Sequence, residues 1–225
     1  MRVLVIIPAL NAEPSIGRVI ADCRAVCEQV VVIDDGSTDG TARVAREAGA
    51  DVVSHPQNRG KGAALKTAFA YALEHNFDAV VTLDADGQHL PKEIPKFVAA
   101  REQTGAHLVI GGRAHLFQEM LPRRRFANRM SSWFIARVSR TGVTDSQSGF
   151  RLYSADLLRS VHLHSDGFDL ESEVIVRAGC GNFKVITIPI DLGFVDGLST
   201  SHYKPLQDSL RIAWTVFRAR WIWRK

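Results

Sequence analysis

The chain has 225 residues, 46% of them hydrophobic and 23% charged, enough apolar side chain for one sizeable core, which excludes a disordered chain. A net charge of +4 permits contact with phosphates, nucleic acid or anionic lipid without choosing among them, and three cysteines (Cys23, Cys27 and Cys180) with no CxxC pair argue against a secreted disulfide framework. No stretch has the apolar length of a bilayer span, and the N-terminus runs straight into a strand, so a soluble, cytoplasmic body is expected.

Val3 to Ile7 reads as a short apolar strand closed by Pro8, and Ser15 to about Gln29 as a helix, with Ile16, Val19, Ile20, Cys23 and Val26 at helical spacing. Val30, Val31, Val32 and Ile33 follow one another as a strand covered on both faces, the habit of parallel sheets flanked by helices. Asp34-Asp35-Gly36 comes next. Adjacent carboxylates at the mouth of an apolar strand repel each other and lose hydration, so the fold that puts them there is expected to have something for them to hold. Asp39 can cap a helix over Thr41–Ala48, Asp51–Ser54 is a third strand, and the loop HPQNRGKG leads to an alanine-rich helix, Ala63–His75. Ala79–Leu83 is the fourth strand. This strand–helix alternation calls for a mainly parallel sheet with right-handed crossovers, whose ligands sit beyond the carboxyl ends of the strands.

The fourth strand runs into TLDADGQHLP, where Asp84 and Asp86 alternate around Ala85. Hard oxygen ligands at a strand end suit Mg²⁺ or Mn²⁺, which keep several waters and also bind substrate phosphates. Solvated acids are the plain alternative, and the neighbouring Asp34-Asp35 weighs against it. Upstream, NRGKG fails as a P-loop, because no Gly opens the required spacing and Gly62 stands where a Ser or Thr would meet Mg²⁺.

In the second half, residues 119–140 (EMLPRRRFANRMSSWFIARVSR) form an expected helix that joins Arg123, Arg124 and Arg125 to Phe126, Met130, Trp133, Phe134 and Ile135. Interleaved basic and aromatic residues also describe a nucleic-acid surface. In DSQSGFRLY, Asp145 precedes small and polar residues that fit a tight loop beside a substrate, with Phe150 and Tyr153 packing beneath; Arg151 is either a phosphate ligand or the structural partner of Asp145. GFDLESEVIVRAG is a helix with Asp169, Glu171 and Glu173 near its start, where acids also meet the helix dipole favourably. Residues 184–205 read as two short strands and a flexible loop. The C-terminal LQDSLRIAWTVFRARWIWRK carries a stripe of Leu206, Leu210, Ala213, Trp214, Phe217 and Trp221 beside Arg211, Arg218, Arg220, Arg224 and Lys225, which suits a helix lying in a membrane interface.

Taken in order, IPALNAE, VVVIDDGSTDGT, NRGKGAALKTAFAYAL, VVTLDADGQHLP and VIGGR resemble the nucleotide-binding half of family 2 glycosyltransferases with the GT-A fold. TDSQSGFRLYS resembles the acceptor half of their polyprenyl-phosphate members, and the likeness covers roughly residues 3–205. It implies a GT-A-type, Rossmann-like α/β fold: a mainly parallel sheet flanked by helices, divided into a nucleotide-sugar half (1–115), an acceptor half (116–205) and a basic amphipathic helix (206–225).

By the same resemblance, Pro8, Ala9, Leu10, Glu13, Asp34 and Asp35 surround the nucleoside, although Ala12 stands where many relatives place an acid. Asp84, Ala85 and Asp86 meet the diphosphate through Mg²⁺ or Mn²⁺, with Asp84, Asp86 and Gln88 as metal ligands. Arg113 is a phosphate ligand, and Lys61 either touches phosphate or lies on the surface. His202 and Lys204 stand on a loop that in dolichol-type relatives offers an Arg and a Lys to the donor; Gly197 replaces that Arg. Arg123, Arg124, Arg125, Ser148 and Arg151 are the acceptor candidates, and Asp86, Arg113 and Asp145 the catalytic ones, Asp145, Glu171 or Asp169 serving as base if the acceptor is a hydroxyl. The expected partners are a UDP- or GDP-linked sugar, a lipid-linked acceptor and an anionic membrane on its inner, cytoplasmic face, with a homo-oligomer allowed and no nucleic acid.

Overall fold

The computed structural model describes residues 1–113, 122–193 and 205–223, without the side chains of 122–125, 127 and 205–210. His202, Lys204 and the Arg123–Arg125 side chains therefore lie outside the described residues. Along the chain come β1 (Val3–Ala9), α1 (Glu13–Arg24), β2 (Val30–Asp34), α2 (Thr41–Glu47), β3 (Asp51–Ser54), α3 (Lys61–Glu74) and β4 (Ala79–Thr82). They are followed by α4 (Ile94–Thr104), β5 (Leu108–Gly112), α5 (Pro122–Ser139), β6 (Arg151–Ser154), α6 (Ala155–Ser160), α7 (Leu170–Cys180), β7 (Val185–Pro189) and α8 (Pro205–Trp221).

The strands form one seven-stranded sheet in the order β3-β2-β1-β4-β6-β5-β7. Only β6 is reversed, pairing antiparallel with both β4 and β5. Alternation along each strand sends Leu4, Ile6, Val31 and Ile33 into a core beneath α3, α5, α7 and α8. The same alternation sends Val5, Ile7, Val30 and Val32 into a second core beneath α1, α2 and α4. Burial on both faces is why these strands are unbroken apolar runs, each Val or Ile contributing roughly 1.5–3 kcal/mol.

Several boundaries move from where periodicity put them: β1 runs on through Pro8 to Ala9, α2 ends at Glu47, and α3 covers Lys61–Glu74. Helix α1 starts at Glu13, since Pro14 suits a first helical turn, and stops at Arg24, leaving Val26 exposed. Of the two strands expected within 184–205, the described residues form β7 and a single bridge from Leu192 to His89. The reversal of β6 matters most for the site. Arg151 pairs with Thr82, so the loop entering β6 reaches the same sheet edge as the chain leaving β4, and residues 145–150 come to lie beside Asp84.

Candidate active site

The carboxyl ends of β1 and β4 and the amino end of α3 enclose a cavity of about 370 Å³. Pro8, Ala9 and Leu10 form the wall from β1, and Asp84, Ala85 and Asp86 the wall after β4. Gly60 and Lys61 open α3 on a third side, with Asp35 and Phe168 completing the rim.

The three acids expected around the nucleoside do not stand equally. Asp35 lines the cavity, yet its carboxylate already accepts the backbone N–H of Arg59 (3.0 Å) and Gly60 (2.8 Å) and lies 2.7 Å from His55 Nδ1. His55 in turn meets Thr67 Oγ1 at 2.9 Å through Nε2, so one buried pair fixes the loop into α3. That loop needs its glycine: Gly60 has φ +98°, and a Cβ there would fall 2.4 Å from the Asp166 carbonyl. Asp34 and Glu13 are outside the cavity wall. Asp34 accepts the Ser37 N–H at 3.1 Å, while Glu13 accepts the Gly40 N–H at 2.9 Å and pairs with Arg43 at 3.0 Å. What these acids hold, in the first instance, is backbone N–H groups left open at strand ends and turns.

After β4, Asp84 Oδ1 is 2.7 Å from Lys61 Nζ. Burial pushes the Asp84 carboxyl up, but the Lys61 ammonium beside it outweighs this and holds it well below the ordinary carboxylate range. Burial likewise pushes Lys61 down, and Asp84 with Glu171 more than reverses this, so the ammonium stays charged. His89 is buried and accepts the Asp84 N–H on Nδ1 (3.1 Å), placing the ring proton on Nε2; burial drives its pKa down, keeping it neutral. Asp86 accepts the Gln88 N–H at 2.9 Å. Among the described residues no three His, Cys, Asp or Glu side chains gather into a metal cage. Two carboxylates opening on a cavity nevertheless fit Mg²⁺ or Mn²⁺, which complete their shells with water and substrate phosphate.

On the far side of Asp84, Arg113 grips Asp145 through Nε (2.9 Å) and Nη2 (3.2 Å), the fork geometry of a strong ion pair. Burial pushes the Asp145 carboxyl up and Arg113 brings it below its ordinary value. Arg151 needs correction. It is neither partner to Asp145 nor open to an acceptor, being fully buried and donating to the carbonyls of Ser148 (2.7 Å), Glu171 (2.6 Å) and Ser146 (2.8 Å). Ser148 is also fully buried, its hydroxyl turned to the Phe150 N–H, so neither residue faces an acceptor.

The acids opening α7 separate by face. Asp169 accepts from Thr215 Oγ1 of α8 (2.7 Å), and Glu173 accepts the N–H groups of His164 and Ser165. Glu171 stands apart, with Oε2 3.4 Å from Lys61 and Oε1 buried 3.9 Å from Arg151 Nε but without a hydrogen-bond partner. Reading the sequence missed this junction, although the helical period carries the signal: residues 169 and 173 share a face and 171 points away.

Outside the cavity, α5 exposes Phe126, Met130, Trp133 and Phe134 while burying Ile135. Helix α8 docks on α7 and α5 through Ile212, Val216 and Ala219, not through the stripe expected from spacing. Trp214, Phe217 and Trp221 of that stripe face outward, as does Ile222. No described helix is long and apolar enough to cross a membrane.

A mainly parallel sheet with one reversed strand, flanked by helices, with Asp84 and Asp86 after its fourth strand over a cavity, has the GT-A-type fold. The chain belongs to glycosyltransferase family 2: the family described as Glycosyl transferase family 2 matches residues 4–161. It is 33% identical to an undecaprenyl-phosphate mannosyltransferase of Micrococcus luteus, over 84% of this chain and 83% of that one. It is 28% identical to a UDP-N-acetylglucosamine–dolichyl-phosphate N-acetylglucosaminyltransferase of Methanococcus voltae, over 84% of each. Its fold is similar to glucosyl-3-phosphoglycerate synthase of Mycobacterium tuberculosis, solved with Mn²⁺, UDP and phosphoglyceric acid, with a TM-score of 0.72 at 23% identity, covering 98% of this chain and 79% of that one.

Proposed function

We propose that this glycosyltransferase moves one sugar from a nucleotide diphosphate sugar to a polyprenyl phosphate at the inner face of a membrane, with inversion. The observation that carries this reading is the pair Asp84 and Asp86, open to the cavity at the end of β4. Support comes from relatives named for polyprenyl- and dolichyl-phosphate acceptors. An acceptor phosphate oxygen attacks the anomeric carbon from the side opposite the diphosphate; as that bond forms, the bond to the diphosphate breaks and the nucleoside diphosphate leaves.

Residues 1–115 take the donor, 116–205 the acceptor, and 206–225 meet the membrane. Pro8, Ala9, Leu10 and Asp35 pack around the nucleoside, UDP- or GDP-linked. Asp84 and Asp86, with Gln88 beside them, would hold Mg²⁺ or Mn²⁺, which supplies charge neutralisation on the leaving diphosphate. Arg113 shares that work, and Asp145 aims its guanidinium. A phosphate acceptor is already anionic and needs no base, so Asp145 acts through Arg113. Arg123, Arg124 and Arg125, in the first turn of α5, receive the acceptor phosphate, while His202 and Lys204 serve as ligands of the donor diphosphate. The outward aromatic residues of α5 and α8 rest in the bilayer interface.

A hydroxyl acceptor is the second reading, favoured by Glu171, whose Oε1 accepts no hydrogen bond although Arg151 stands 3.9 Å away, and which would then be the base. Calorimetry of UDP and GDP binding tests the first requirement of both. One of the two nucleotides binds in Mn²⁺ and loses at least about tenfold in affinity with EDTA or in Asp86→Ala, because carboxylate and diphosphate repel without a cation between them. Equal affinity in all conditions removes the cation from the account.

A further inference from the structure

Lys61 is placed as no other basic side chain in the described site is. Its ammonium touches Asp84, one of the two acids offered to the cation, at 2.7 Å, and approaches Glu171 of the other half of the molecule at 3.4 Å. The side chain is only 17% exposed, in a site built around it. A Cβ at Gly149 would lie 3.0 Å from Nζ and 3.1 Å from the Asp84 carboxylate, so a glycine leaves the room the ion pair occupies. The backbone of α3 cannot move aside, because Gly60 and Gly62 pack directly against the 166–167 backbone. Only the long lysine stem is free to swing.

Resting on the reading that Asp84 and Asp86 take a divalent cation, we propose that Lys61 is a built-in stand-in for that cation. It neutralises Asp84 when the cation is absent and surrenders it, turning to Glu171, when the cation arrives. An ammonium and a divalent ion cannot both sit against one carboxylate without strong repulsion, so the two compete for Asp84. Glu171 is the receiving end. Its Oε2 already stands 3.4 Å from Nζ, and its buried Oε1, which faces the Arg151 guanidinium at 3.9 Å without a hydrogen bond, can accept one of the ammonium's three donors when the lysine swings toward it. The exchange ties donor loading to the opening turn of α7 and thus to the acceptor half. It makes Lys61 a positioning residue that keeps the cation-free site from collapsing and makes cation binding depend on the diphosphate's own charge.

The test is calorimetric titration of the full chain with Mn²⁺ alone and with Mn²⁺ plus UDP or GDP, in the parent, Lys61→Met, Glu171→Gln and the double variant. Lys61→Met binds Mn²⁺ alone about tenfold tighter or more, because the competitor is gone. Glu171→Gln binds it more weakly than the parent, because Lys61 has nowhere to retreat, and that loss disappears in the double variant. A purely structural lysine would instead give equal or weaker binding on removal, and that result overturns the proposal. So does a Glu171→Gln loss that persists without Lys61, which would mark a direct field effect. Should Lys61→Met not fold, reductive methylation of Lys61 in the parent decides: its rate changes when Mn²⁺ and nucleotide saturate the site, and an unchanged rate overturns the exchange. Mn²⁺ binding in the parent with nucleotide but no difference in Lys61→Met defeats the lysine proposal alone. No Mn²⁺ binding in any form defeats the cation reading and this proposal with it.

Discussion

Arg151 has no measurable exposure, and its three guanidinium nitrogens donate to backbone carbonyls, two in the loop before β6 and one in α7. It joins the loop before β6 to the first turn of α7. Arg151→Met keeps much of the volume but strands those carbonyls, costing about 3–5 kcal/mol, the usual penalty for breaking a buried charged network. At this chain length the melting temperature falls by roughly 10 °C. A melting curve like the parent's would show that the network does not hold the two halves together. Arg113 and Asp145 give a second expectation at this scale. The folded pKa of Asp145 lies below its ordinary value of 3.8, so its contribution to stability is full above the unfolded value and is lost as pH falls through the folded one. Thermal melts taken downward from about pH 5 therefore show falling stability, and Asp145→Asn flattens part of that slope. An unchanged slope would mean that the pair contributes nothing to acid sensitivity.

Helix α8 has two apolar faces of different purpose. Ile212, Val216 and Ala219 follow one helical stripe into the core, and Thr215 beside them anchors to Asp169 at the start of α7. Trp214, Phe217 and Trp221 lie on the outer side, next to Arg218 and Arg220. Replacing Trp214 and Phe217 by Glu should leave the melting curve within about 1 kcal/mol of the parent, since exposed side chains away from the core rarely matter more. Co-sedimentation with anionic vesicles should fall several-fold, and for the parent it should fall partly with salt, the charged contribution being screened and the aromatic one not. Equal sedimentation of parent and variant would assign that face to something other than lipid. Spacing in the sequence identified the aromatic stripe but not the docking face, because both are apolar at helical period and only tertiary packing distinguishes them. Strands β1, β2 and β4 were legible for the opposite reason: unbroken apolar runs such as Val30–Ile33 are buried on both faces. Strand β6 was not, since Arg-Leu-Tyr-Ser is four residues long and opens with an arginine buried by carbonyls of the preceding loop and, 20 residues on, of Glu171.

Across the whole molecule, one sheet runs through the described chain, and the reversal of β6 brings the loop before it to Asp84 at the end of β4. That Asp84 and Asp86 line the cavity was readable because their spacing puts two carboxylates at one strand end. The roles of Asp34 and Glu13 were not, because a carboxylate that caps a turn and one that meets a ligand look alike until the partner N–H groups are in place. The same holds for Lys61 and Glu171, which lie 110 positions apart in sequence and meet only through packing. The central claim is sugar transfer to a lipid phosphate. Its most direct measurement is the incubation of the full chain with radiolabelled UDP- and GDP-sugars, Mn²⁺, and vesicles carrying either a polyprenyl phosphate or the matching polyprenol, followed by counting of the lipid phase. The account predicts label in the lipid phase from at least one donor, with the phosphate and not the alcohol, and its loss with EDTA or in Asp86→Ala. Label appearing equally with the alcohol, or in no lipid phase while a soluble hydroxyl acceptor is glycosylated, would contradict it.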